Sequence, residues 1–408
     1  MKRRNYLLAL ALLALFIGCG VLYFRSYVVQ RPFGIILFVG DGLVSSQLTA
    51  ARLYDGGADH RLAIESLPNL ALLSTHAADF AVPDAAAAAS ALACGQKVNN
   101  QALSMDPRGN PIQTLLELAR ERGRGTGLVT DGCLTDPAPA AFYSHAADHR
   151  DRDAIAAQLA DHAGLDVILG GGGGDFLPEL KGGRRRDARD LELEMTQRGY
   201  ALLRGSEDLA GVEPWLGPKL LGLFGNDALL FQDQLRAGSA QPALPEMVRA
   251  AIEVLQRKTG GYLLVVDAGL AGRAAIENQG ERVLQEVVEL DHAVSVALQY
   301  AGAKTLVIVA GGESAGGLAL NGYPLRQDRG VSLLGMNANG IPSLTWATGP
   351  AGPQPSATPS PGQPAAFYAP YAANVADDSI AAGFGPGSQQ LRGFLDNTFV
   401  FDLIHSEL

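Results

Sequence analysis

The chain has 408 residues, 47% of them hydrophobic, with 42 acidic against 32 basic side chains and a formal charge of -10 at pH 7. That length and apolar content supply a sizeable core, for one large α/β domain or two ordinary ones, and exclude a disordered protein. The negative balance repels phosphate backbones and anionic lipid, which argues against nucleic acid as a partner recruited by long-range attraction.

Lys2, Arg3 and Arg4 lead into an uninterrupted apolar run, residues 6–24, closed by Arg25. As a helix this run would rise roughly 28 Å, enough to cross a bilayer core. Basic residues ahead of it place that end in the cytoplasm. The expectation is therefore a cytoplasmic stub and transmembrane signal anchor over 1–30, and a domain over 31–408 facing the periplasm or cell exterior. Two alternatives stand beside the anchor. One is a cleaved secretory signal, although the run exceeds the roughly 7–15 apolar residues of a usual signal core. The other is a lipoprotein box at Phe16-Ile17-Gly18-Cys19, which Phe16 fits poorly and beyond which the apolar run continues.

Past residue 33 the pattern alternates. Short β-rich apolar runs at 34–39, 126–130, 166–169, 262–266, 305–309 and 343–347 read as buried strands. Between them, 113–122, 152–163, 246–258 and 281–301 read as helices, with Gly123, Gly164, Gly260 and Gly302 where left-handed caps are wanted. This alternation predicts a large, mostly parallel sheet covered on both faces, a three-layer α/β/α sandwich. Residues 182–244 are polar and irregular and read as an insertion, and the Pro/Ser-rich 349–364 as a surface loop. The chain's 3 cysteines make no disulfide framework. Export permits a Cys94–Cys133 bridge, but the spacing does not demand it, and small buried core cysteines account for both.

Ligands of open α/β sheets bind beyond the carboxyl ends of the strands, where side chains converge and helix N-termini point inward. Here the first strand delivers Asp41, the run at 126–130 leads to Asp131 and Asp136, the run at 262–266 delivers Asp267, and the run at 305–309 delivers Glu313. Any one of these alone is ordinarily a solvated loop residue; several on one edge point to a site. None of the 7 histidines falls at these ends, so a zinc cluster has no soft ligand there. A hard, oxygen-ligated cation such as magnesium or calcium remains open.

The segments Ile35-Ile36-Leu37-Phe38-Val39-Gly40-Asp41-Gly42, Val82-Pro83-Asp84-Ala85-Ala86 and Lys97-Val98-Asn99-Asn100 resemble the alkaline phosphatase family and align with it without gaps. The resemblance runs from Gly34 to Leu408 in ordered blocks, so it implies that family's fold, while activity has to be carried over position by position. Members hold two zinc ions and usually a magnesium, form a phosphoserine intermediate and clamp the phosphate with an arginine. The serine position is Ala85, which has no oxygen or sulfur to attack phosphorus. The arginine position holds His149, with Arg150 next to it. Zinc-ligand positions fall on Gly272, Ile276, Gly312, Glu313 and Asn374, so both zinc sites are expected to be lost. The magnesium site fares better: Asp41 is kept, Asp267 and Asp136 stand at acidic positions, and only the threonine has gone, to Ala138.

Together these imply a membrane-anchored, alkaline-phosphatase-like pseudoenzyme with a binding or scaffolding role. Asp41, Asp136 and Asp267, with Glu313, are the expected metal site, for one Mg or Ca ion. The alternative is a metal-dependent phosphomonoesterase or phosphodiesterase that uses these acids, a single cation and water as nucleophile. A structural subunit of an envelope complex is a third reading. Expected partners are the membrane, a second copy or an envelope protein, and a small molecule that the sequence does not name.

Overall fold

The computed structural model describes residues 2–23, 33–300, 302–321, 334–336, 339–353 and 366–408. Most of the expected surface loop at 349–364 lies outside them, as does Phe24 at the end of the apolar run.

The central sheet has ten strands. In chain order they are β1 (Gly34–Gly40), β2 (Asn69–Ser74), β3 (Gly125–Cys133), β4 (Val167–Gly171), β5 (Tyr200–Leu203), β6 (Lys219–Leu223), β7 (Tyr262–Ala268), β8 (Thr305–Gly311), β9 (Ser379–Phe384) and β10 (Arg392–Asp396). Across the sheet the order is β10-β2-β9-β8-β1-β7-β3-β4-β6-β5, and β9 alone runs against its neighbours. The central strands read as continuous apolar runs because both faces are covered. In β1, Ile35, Leu37 and Val39 enter the core on one side of the sheet and Ile36 and Phe38 the core on the other.

The main helices, in chain order, are α1 (Lys2–Tyr23), α2 (Ser45–Asp55), α3 (Ala85–Cys94), α4 (Leu115–Glu121), α5 (Pro137–Ala140), α6 (Arg152–Gln158), α7 (Leu191–Gln197), α8 (Leu244–Leu255), α9 (Leu270–Ile276), α10 (Gly280–Tyr300) and α11 (Phe399–Glu407). Through Ala89, Leu92, Leu116, Val400 and Leu403, helices α3, α4 and α11 pack on one face. On the other face α2, α8, α9 and α10 pack through Leu48, Val248, Ala274 and Leu290. The expected three layers are thus present.

Of α1, the side chains of residues 5–7 and 9–20 are described; over the described residues no helix is long and apolar enough to cross a membrane.

Several expectations need correction. The stretch 182–244 is not irregular: it contains α7 and strands β5 and β6, which extend the main sheet beyond β4. Its polar look comes from arginines and acids that pair around these two short strands. The run at 343–347 is a half-buried strand, Leu344–Trp346, in a separate ribbon with Leu318–Leu320. Strands β2, β9 and β10 escaped the sequence pattern because NLALLS, SIAAGF and RGFLD carry few β-branched residues. Gly123 and Gly164 are left-handed as expected (φ 73° and 60°), but Gly260 and Gly302 are not; α8 ends on the right-handed Gln256, and the left-handed residue beyond it is Gly261, in the turn into β7 (φ 79°). Cys94 and Cys133 are buried and free, as the unbridged reading expects.

Candidate binding site at the carboxyl edge of the sheet

Register brings the acids together. β1 lies between β7 and β8, with Val39 level with Asp267 and Gly40 level with Gly311. Asp41 follows β1 directly, Glu313 comes two residues after β8, and Asp136 is the cap residue ahead of α5. The Asp41-Gly42 turn requires a left-handed residue at Gly42 (φ 77°), and the Gly42 N–H donates to the Glu313 carbonyl at 2.6 Å, tying the loops after β1 and β8 together. These elements enclose a cavity of about 410 Å³ onto which Asp41, Asp84, Asp136, Asp267 and Glu313 all open. All four expected metal-site residues are therefore in one cavity.

Their environments differ. Asp267 is 1% exposed; its Oδ2 accepts from the Thr130 hydroxyl at 2.6 Å, and its Oδ1 has no partner. Asp41 Oδ1 and Glu313 Oε2 are also buried without a partner. Burial foremost, then Glu313, Asp267, Asp131 and Asp136, pushes the Asp41 carboxyl well above its ordinary range. Burial and then Asp131 push Asp267 the same way, and burial raises Glu313 to about 7. Burial, then Glu286, raises Asp131, against hydrogen bonds from the Gly269 and Leu270 N–H groups at 2.8 and 3.1 Å. Asp136 differs: its Oδ1 meets the Arg152 guanidinium at 2.6 Å and its Oδ2 accepts the Cys133 N–H at 2.8 Å. Buried carboxylates that repel one another are relieved by protons or by a hard cation. Among the described residues, no group of three or more His, Cys, Asp and Glu side chains is arranged to hold a metal ion.

Helix α3 points its N-terminus into the cavity. Its alanine run has high helix propensity, and the Asp84 cap accepts from the Ala87 N–H at 2.8 Å and from the Gln101 N–H at 2.6 Å. Ala85, the first helical residue, lines the cavity with a methyl group.

His149 also lines the cavity. Arg150 does not: it is exposed and grips Asp148, with Gln101 at 3.3 Å. The cations at the cavity are Arg152 and Arg273, which sequence reasoning missed. For Arg152 the available signal was its place at the start of a helix just after the Asp151 cap, within reach of the acids.

Of the positions where the resemblance puts zinc ligands, Gly272 and Gly312 offer no side-chain donor and little room for one. A Cβ at Gly272 would stand 2.7 Å from Asp41 Cβ, and one at Gly312 would stand 3.1 Å from Asp41 Oδ1. Ile276 presents hydrocarbon, and the Asn374 amide donates to the Pro83 carbonyl at 3.1 Å. Gly272, Gly312 and Ile276 offer zinc no donor; the unpartnered oxygens of Asp41, Asp267 and Glu313 are the hard donor type that magnesium or calcium takes, although as placed they form no ready-made metal group.

A mostly parallel α/β/α sheet with a polar cavity at its carboxyl edge defines the class. The family model for alkaline phosphatase matches residues 34–342. Alkaline phosphatase 4 of Drosophila melanogaster is 28% identical over 359 residues, covering 75% of this chain and 59% of that protein. The alkaline phosphatase of Gadus morhua is 30% identical over 323 residues, 67% of each chain. Among solved structures, the alkaline phosphatase of Thermus thermophilus has a TM-score of 0.75 at 25% identity, covering 93% of this chain and 92% of that one. That of the Antarctic bacterium TAB5 has 0.73 at 20%, covering 93% and 98%. The chain belongs to the alkaline phosphatase family.

Proposed function

We propose that this chain is a member of the family that has lost phosphoserine chemistry and serves as a binding or scaffolding protein, with the cavity as its ligand site. Ala85 carries this reading: the residue at the helix start that opens on the cavity has no atom able to form a covalent phosphoryl intermediate. Loss of zinc donors at Gly272, Ile276, Gly312 and Asn374, and of an arginine at His149, supports it further, because the parts of one catalytic unit act together. Asp41, Asp267 and Glu313, with Asp136 on the wall, would hold one Mg or Ca ion, which would neutralise their mutual repulsion. The unpartnered carboxylate oxygens also favour a second reading, a metal-dependent phosphate ester hydrolase with water as nucleophile.

A phosphatase assay of the full-length protein with zinc and magnesium separates the two. No turnover above background is expected, and Ala85→Ser is expected to recover none. Turnover in either protein that a chelator removes would overturn the silent reading and select the hydrolase.

We also propose that the apolar run at 6–24 tethers the protein to a membrane, with the folded domain outside the cytoplasm; the uninterrupted apolar sequence behind Lys2, Arg3 and Arg4 supports this. The protein should then sediment with membranes and keep its N-terminus. A mature form cut near residues 20–30 and found in the soluble fraction would sink the tether.

A further inference from the structure

Of the acids expected to hold a cation, Asp136 alone has both oxygens engaged; Asp41, Asp267 and Glu313 each keep a buried oxygen without a partner. The group that engages Asp136 is built in from behind. Arg152 begins α6, fixed by the Asp151 cap, whose Oδ1 accepts the Ala154 N–H at 3.2 Å. One guanidinium nitrogen meets Asp136 Oδ1 at 2.6 Å. The other reaches Thr135 Oγ1 at 3.1 Å and Asp175 Oδ2 at 3.2 Å. Asp175, 2% exposed, is held in turn by Arg184 Nε at 2.9 Å and by the Thr135 hydroxyl. Arg152 is thus oriented by a buried framework that does not depend on Asp136, and it brings a permanent positive charge to the cavity wall, since a guanidinium does not deprotonate in a protein.

We propose that Arg152 is a resident counter-cation for Asp136. It occupies at that carboxylate the place a divalent ion would take, and so confines a mobile cation to Asp41, Asp267 and Glu313. This rests on the reading of the cavity as a cation site. Two consequences follow from charge and ligand number. Removing the guanidinium returns one carboxylate to the site and takes away one repelling charge, and both changes tighten divalent binding.

The test is Mn²⁺ binding to the full-length protein, read by the electron paramagnetic resonance of the free ion, for wild type, Arg152→Gln, Arg152→Lys, Arg152→Gln with Asp136→Asn, and Asp41→Asn with Asp267→Asn. Arg152→Gln is expected to bind Mn²⁺ about tenfold tighter than wild type, from the added ligand charge. The gain should vanish when Asp136→Asn is added, and Arg152→Lys should stay within about twofold of wild type because the positive charge is kept. Arg152→Gln that binds no tighter, or a gain that survives Asp136→Asn, would overturn the proposal. Arg152→Met is a second neutral variant, and in both Arg184 and the Thr135 hydroxyl still hold Asp175. If a variant melts early, the rise of its melting temperature with Mn²⁺ is the same readout: a rise larger than that of wild type supports the counter-cation, and no larger rise overturns it. The underlying reading fails separately, when wild type and Asp41→Asn with Asp267→Asn bind Mn²⁺ alike.

Discussion

Two acidic regions of this molecule behave in opposite ways. Along the lateral edge, where β4, β6 and β5 lie, acids are matched by arginines. Asp161 receives both Arg189 nitrogens at 2.9 Å and Arg198 at 2.9 Å, Glu192 pairs with Arg204, and the fully buried Arg185 pairs with Asp187 and donates to the Asp153 and Asp175 carbonyls. Hydrogen bonds from Arg189 hold the Asp161 carboxyl down at about 2. At the carboxyl edge, Asp41, Asp267 and Glu313 face one another with oxygens that nothing meets, and burial pushes all three up. The residue types are the same, and the difference lies in the partners. Paired acids are part of the scaffold, whereas buried acids left unpaired are costly to the fold and are relieved only by a proton or a bound cation. Arg152 stands at the junction, with one arm on Asp175 and one on Asp136.

Removing charge should therefore have opposite signs in the two regions. Asp175→Asn, at the paired edge, takes from Arg152 and Arg184 the buried carboxylate they share, leaving them Asp136 and Asp227 respectively, and is expected to cost about 3 kcal/mol in denaturant unfolding. Asp41→Asn with Asp267→Asn relieves repulsion and should add about 2 kcal/mol in the absence of metal. Wild type is expected to gain about 1.4 kcal/mol at a divalent cation concentration ten times its Kd, and the double variant nothing. A double variant less stable than wild type in metal-free buffer, or one that still responds to magnesium and calcium, would break the contrast between the regions.

How far this was legible in the sequence follows the same division. Strand-end acids were visible because β1, β7 and β8 are continuous apolar runs whose ends can be read, and the cavity gathers Asp41, Asp136, Asp267 and Glu313 as that reading places them. Ala85 was visible because its helix frame is intact. Arg152 was not, since its role depends on where α6 begins relative to β3, and a shift of a few residues along a helix start redirects the side chain. The outer strands β6 and β5, of which β5 forms the edge, were hidden for another reason: they are short, and the arginines and acids around them read as a solvated insertion until the pairs are seen in space. Strand β9, the antiparallel member, is held by pairing with β2 and β8 rather than by its own propensity.

Glu286 offers a smaller test of the same distinction away from the cavity ligands. It lies in α10, is 2% exposed, and its Oε1 accepts the Gln232 N–H at 2.8 Å. Burial foremost raises its carboxyl from 4.5 to about 8; Glu289 and Asp233 add to the rise, while the Gln232 N–H and Arg236 oppose it. Asp131 is the further acid in its field. Because the folded state holds this proton more tightly than the unfolded chain, the stability it contributes is complete below about pH 4.5 and is lost as pH rises through about 8. Glu286→Gln keeps the acceptor for Gln232 and removes the titration. Its unfolding free energy should fall less than that of wild type between about pH 5 and 8.5, leaving the variant ahead by on the order of 1 kcal/mol at the upper end. Parallel stability curves for the two proteins over that range would mean that Glu286 is relieved by a partner in the folded state, and that burial among acids does not by itself distinguish the strained carboxylates from the paired ones.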